Sequence, residues 1–238
     1  MNKSTPSSIS QMFKVDYNDP EKIALSNQAT LRKIVGILGM ALPLLLYGFL
    51  YVDIGYNHTL PSISHYYYTR VCSIFVAIMS MLAIFLIIYK GRAPLDFYLS
   101  AIAGIFAFCV VLFPTDNIEG VFSVTVLKVS AVRPVFHYVS AAIFLTCLSV
   151  LSLFVFTKSD KRVKARGIKK KMRNRLYRTC GGIMLAAILV ILLWGINLLG
   201  DDLTRFYNDH HLTFWMETIA VESFGLSWLV KGGAMLAD

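Results

Sequence analysis

Six apolar runs, over residues 34–52, 71–89, 97–113, 135–156, 179–199 and 212–230, alternate with short polar stretches along the chain. A hydrocarbon core about 30 Å thick takes ~20 helical residues at about 1.5 Å of rise each, so every run has the length of one crossing. The pattern predicts an all-α integral membrane protein, a bundle of six transmembrane helices. Ahead of the first run, Asp19-Pro20-Glu21 has the order of a helix start, with Asp as N-cap, Pro at the first helical position and Glu in the first turn. A short lead-in helix is therefore expected over 19–33. Residues 1–18, rich in Ser and Asn, read as a mobile tail, 157–178 as a basic loop and 231–238 as a closing tail. Residues 121–126 have the composition of a short strand or of a segment resting on the rim of the bundle. Pro43 predicts a bend in the first span. Small residues at helical spacing predict close helix contacts: Ser73 and Ser80, Ser100 and Gly104, Ala103 and Ala107, Gly182 and Ala186.

Basic residues orient these spans. Five lie within residues 1–33, two at Lys90 and Arg92, eleven from Lys158 to Arg178 and one at Lys231, against four in the intervening loops, Arg70, Lys128, Arg133 and Arg205. By the positive-inside rule both termini are cytoplasmic, and the protein is a multi-pass protein of the cell membrane. Only 16% of residues are charged and 56% are hydrophobic, whereas a soluble domain carries about 25% charged residues. That balance excludes an ordinary soluble enzyme. The net charge of +9 does not call for nucleic acid, because eleven of the 23 basic residues sit in the one stretch Lys158 to Arg178. Retention inside and attraction to anionic lipid headgroups account for that stretch. No room is left for a cytoplasmic catalytic domain, so the function is expected within the membrane or on its outer face. Cys72, Cys109, Cys147 and Cys180 lack metal or disulfide spacings and read as small apolar residues.

Candidate chemistry is confined to a few polar residues. Glu217 and Glu222 fall within the last apolar run, where an ionisable group is expensive and usually faces a partner in the bundle interior. Helical spacing puts His210, Phe214 and Glu217 on one stripe and His211, Trp215, Thr218 and Glu222 on another. Glu222 is then either a neutral hydrogen-bonded lock between helices or a proton- or ligand-handling group. All five histidines, His58, His65, His137, His210 and His211, map to outer loops or outer ends of spans. Ser64 beside His65, and Ser140 three residues after His137, each offer a nucleophile with a neighbouring base. Asp116 closes the third span nearby. No zinc-binding motif is present, and neither metal nor cofactor is implied.

The order of these features resembles a known group. An outer loop ending in Pro61-Ser62-Ile63-Ser64 with an aromatic cluster, a third span closing on Phe113-Pro114 and a fourth opening with His137-Tyr138-Val139-Ser140-Ala141 is similar to bacterial six-span membrane proteins. These are related to eukaryotic proteins of the DRAM, Frag and Sfk type. The chain has His65 and Tyr66 where relatives often carry Asp and Gly. The resemblance implies lipid-linked membrane biology. Three functions are consistent with the residues. The first is a non-catalytic protein whose outer-leaflet cavity, edged by Ser64, His65, Asp116, His137, Ser140 and Glu217, binds a lipid headgroup or small polar ligand. The second is a membrane-embedded lipid hydrolase or transferase using the same cluster, and the third a proton-coupled transporter or oligomeric channel using Glu222. Homo-oligomerisation is open in each.

Overall fold

The computed structural model describes residues 28–91, 94–117, 132–158 and 167–236. Among them the fold is all-helical, with no strand. Helix α1 spans Gln28–Ile54, α2 Cys72–Ile88, α3 Pro94–Leu112, α4 Val132–Val150, α5 Ile168–Gly195, α6 Asp201–Asp209 and α7 Leu212–Lys231, with a 3-10 helix at Ile63–Tyr68 and a π-helical turn at Leu151–Val155 extending α4. Four of these, α1, α3, α5 and α4 with its π turn, are long and apolar enough to cross a membrane. Helix α2 is a shorter apolar helix of 17 residues, and α7 has 20 residues with both glutamates inside it.

Six long helices form a closed ring. Each packs on the next in chain order, α1 on α2, α2 on α3, α3 on α4 and α4 on α5; α7 then fits between α5 and α1. Chain direction alternates around the ring, so it has two distinct ends. One end gathers the loop between α1 and α2, the close of α3, the start of α4, helix α6 and the start of α7, and is here the histidine end. The other is the basic end, with the start of α1, the close of α2, the start of α3, the close of α4, the first turns of α5 and the close of α7. Large apolar side chains lie exposed around the outside, including Leu44, Phe49, Ile84, Ile105, Phe154 and Leu189. In water such a belt has no favourable partner.

Glycine and serine allow the closest contacts. Gly36 of α1 and Gly225 of α7 approach so nearly that a Cβ on either would lie 2.7 Å from the other's carbonyl oxygen. Between α4 and α5 the hydroxyls of Ser149 and Ser152 donate to the carbonyls of Gly181 and Tyr177 at 2.7 and 2.9 Å. These bonds satisfy polar groups that neither lipid nor a packed core would serve. Ser100, Ala103, Gly104 and Ala107 are buried as expected. Ser73, Gly182 and Ala186 face outward instead. In α5 the packing face is displaced by one residue, to Cys180, Gly181, Met184 and Ala187.

Other boundaries also differ. Residues 168–178 belong to α5 rather than to a basic loop, because their Lys, Arg, Met and Leu are good helix formers that extend the span behind Gly167. Residues 28–33 are continuous with α1, without a break for a lead-in helix, and Pro43 lies inside that helix. The expected helix start at Asp19, the tail 1–18, the strand-like 121–126 and residues 159–166 of the basic stretch lie outside the described residues.

Candidate functional site

The histidine end is organised by the segment that joins α1 to α2. Ser62, in extended conformation, leads into the 3-10 turns Ile63–Tyr68, and its Oγ pairs with His65 Nδ1 at 2.7 Å. The first turn of any helix leaves backbone N–H groups without intrahelical partners. At α7 the joining segment supplies one: Phe214 N–H donates to the Pro61 carbonyl at 3.0 Å. In return Glu217 of α7 accepts the Ile63 N–H at 2.6 Å, and His211 Nδ1 lies 3.2 Å from Thr59 Oγ1. The same segment is held from the opposite side by α3 and α4. Tyr68 donates its hydroxyl to the Thr115 carbonyl, and Thr115 in turn donates to the Tyr138 hydroxyl at 3.1 Å.

His137 is at the centre of this arrangement. Its Nδ1 lies 2.8 Å from the Phe113 carbonyl at the close of α3, and its Nε2 lies 2.9 Å from Ser64 Oγ. A carbonyl only accepts, so the neutral ring carries its proton on Nδ1 and turns the Nε2 lone pair toward Ser64, whose hydroxyl donates. Ser64 and His137 are separated by more than 70 residues in the chain, so sequence singled out both as candidates without being able to pair them. The pair is closed to solvent, with 7% of Ser64, 2% of His137 and 0% of Ser140 exposed. Ser140 Oγ, one turn beyond His137, is buried without a hydrogen-bond partner.

The remaining candidates divide between this cluster and the surface. Burial, reinforced by the neighbouring His137 and His211, pushes the His65 pKa down to about 4, so its imidazole stays neutral at physiological pH. Glu217 joins the cluster through Ile63, as described. Asp116 is exposed and makes none of the cluster's hydrogen bonds. Glu222 shares an outward stripe of α7 with Trp215 and Ile219, which are 46% and 42% exposed. Among the described residues it makes no hydrogen bond or ion pair. The expected inward-facing lock therefore has no protein partner there: α7 turns Phe214 and Glu217 toward the ring, while on the second stripe Thr218 Oγ1 is buried but Trp215 is exposed. No group of three His, Cys, Asp or Glu among the described residues is arranged to hold a metal ion.

Sequence reasoning missed helix α6. Asp201 and Asp202 favour its N-terminus, and Leu203, Phe206 and Tyr207 recur at helical spacing, a pattern that was legible but too short to stand out. Tyr207 turns inward, its ring stacked on Trp194 at 5.1 Å and its hydroxyl 2.9 Å from Thr213 Oγ1. Leu203 and Phe206 are exposed. No protein-family model, curated protein or solved structure matches the chain.

Proposed function

We propose that the chain is a six-span protein of the cytoplasmic membrane with both termini inside, and that its outer-side histidine end performs acyl transfer on a lipid ester. Convergence of Arg32, Lys33, Lys90, Lys158, Lys169, Lys170, Lys171 and Lys231 at one end of the ring supports the orientation. One observation carries the chemistry: His137 is held by the Phe113 carbonyl in the tautomer that offers Nε2 to Ser64. In this reading Ser64 Oγ attacks the ester carbonyl as its proton passes to His137 Nε2. The tetrahedral intermediate expels the alcohol, which takes the proton from His137, and leaves an acyl-serine. Water, activated by the same imidazole, then releases the acid. The Phe113 carbonyl fills the orienting role that a carboxylate fills in a triad.

Burial of Ser64 and His137 favours a second reading, in which the pair is a non-catalytic lock and the cluster shapes a site for a lipid headgroup or small polar ligand. A fluorophosphonate probe on the purified protein separates the two. Acyl-transfer chemistry predicts labelling of the native chain at Ser64, with no labelling of Ser64→Ala and strongly reduced labelling of His137→Gln. Absence of labelling in natively folded protein would leave the lock.

A further inference from the structure

The basic end carries a pocket that the fold itself does not use. Lys171, Asn174, Arg175, Arg178 and Thr179 line an opening of about 470 Å³ along the first turns of α5. Lys171, Arg175 and Arg178 recur at spacings of four and three residues, so their side chains share one stripe of the helix. All three are exposed, and among the described residues none has a hydrogen-bonded or ion-paired side chain. In the pocket wall Asn174 is only 7% exposed and its Oδ1 has no hydrogen-bond partner. A buried amide oxygen without a donor needs an explanation. Phosphate oxygens only accept hydrogen bonds, so a phosphate alone would satisfy the three cations and leave Asn174 Oδ1 unpaired. A hydroxyl beside the phosphate would satisfy both.

The stripe continues beyond the cations. Gly182 follows Arg178 after four residues, and a Cβ added there would meet no atom within 4 Å. Leu185, Leu189 and Leu192 extend the same stripe and are exposed. From Arg178 to Leu185 the helix rises about 10 Å, the passage from a headgroup region into hydrocarbon. The outward-facing Gly182 leaves open space beside the helix at that passage.

We propose that this stripe binds an anionic phospholipid with a hydroxylated headgroup, of the phosphatidylglycerol class. Its phosphate sits among Lys171, Arg175 and Arg178, a headgroup hydroxyl donates to Asn174 Oδ1, and one acyl chain follows Gly182, Leu185 and Leu189. Three cations without a described carboxylate partner disfavour choline or ethanolamine headgroups. The apolar continuation favours a lipid over a soluble anion. The site rests on membrane insertion and is independent of the chemistry at Ser64 and His137.

Native mass spectrometry of the full chain, released from micelles containing equal amounts of phosphatidylglycerol, phosphatidic acid and phosphatidylcholine, tests it. Phosphatidylglycerol should be retained in preference to both other lipids. Arg175→Gln combined with Arg178→Gln, both at exposed positions, should weaken that retention roughly 20- to 30-fold. Gly182→Leu should also weaken it, since the added side chain occupies the open space beside Gly182, and Asn174→Leu should reduce phosphatidylglycerol to the level of phosphatidic acid. Equal retention of the three lipids, retention unchanged in the arginine variant, or displacement of phosphatidylglycerol by millimolar inorganic phosphate would each overturn the site. A chain that does not insert would give no lipid adducts at all, whereas failure of this site alone would leave adducts that do not discriminate.

Discussion

The two ends of the ring are held together by different forces. At the histidine end, hydrogen bonds from the joining segment reach α3, α4 and α7, and each polar side chain that it fixes has a defined direction. At the basic end an aromatic hub does the joining. Trp228 of α7 is wholly buried, with Tyr89, Phe156 and Phe224 at ring separations of 5.0, 5.3 and 5.8 Å. Cations frame this hub, Arg32 over Tyr89 at 5.4 Å and Lys231 over Phe156 at 5.2 Å, and a single described carboxylate, Asp96, pairs with Lys158 at 3.1 Å. Directional bonds fix a proton on a chosen atom, as at His137. Aromatic packing does not need Lys171, Arg175 and Arg178 of α5, and so leaves these three cations available to a ligand.

Trp228→Ala is expected to break the comparison most severely. Removing a fully buried indole should cost roughly 3–5 kcal/mol, measured by denaturant or thermal unfolding in detergent. Below the unfolding midpoint, fluorophosphonate labelling of Ser64 should persist if the two ends are separately built. Parallel loss of stability and labelling would show them to be one unit. Acid should act on the opposite end. The unfolded chain protonates His65 from its ordinary pKa of 6.5 downward, whereas the folded chain does so only near 4. The unfolded state therefore takes up its proton first, and stability falls as pH drops through that window, by at most roughly 3 kcal/mol. His65→Gln should remove most of this dependence; an unchanged pH profile would assign it to other groups.

Two smaller effects sharpen the contrast between the ring's contacts and its outer surface. Gly225→Ala forces a methyl group against the Gly36 carbonyl, and about 1–3 kcal/mol of destabilisation is expected from the separation of α1 and α7. Glu222→Leu, on the outward stripe, should change stability by about 0.5 kcal/mol or less, or raise it, since no described partner is lost. A loss well above 1 kcal/mol would point to a partner outside the described ring, such as a second copy of the chain.

Two helix boundaries were legible almost to the residue, because hydrophobic length is a local property. The apolar run 71–89 became Cys72–Ile88, and 212–230 became Leu212–Lys231. Ser64, His137 and Glu217 were legible as candidates, since polar groups near a span stand out against their neighbours. Their pairing was not, because it depends on how the α1–α2 segment lies across α3, α4 and α7. Gly182 shows the same limit on a smaller scale. Small-residue spacing pointed to a close contact at Gly182 and Ala186 of α5, but these face outward, one position away from the packed Gly181 and Ala187. The direction of Glu222 was not legible for a related reason: its stripe points inward or outward according to which neighbours flank α7.

Separation of the two ends across a bilayer is tested most directly by cysteine accessibility in intact cells. In a chain with Cys72, Cys109, Cys147 and Cys180 replaced, single cysteines at the exposed positions His58, Asp209 and Lys169 report the histidine end twice and the basic end once. A membrane-impermeant maleimide should label His58→Cys and Asp209→Cys at once, and Lys169→Cys only after permeabilisation. Labelling of Lys169→Cys in intact cells would contradict the topology and with it the placement of Ser64 and His137 on the outer side.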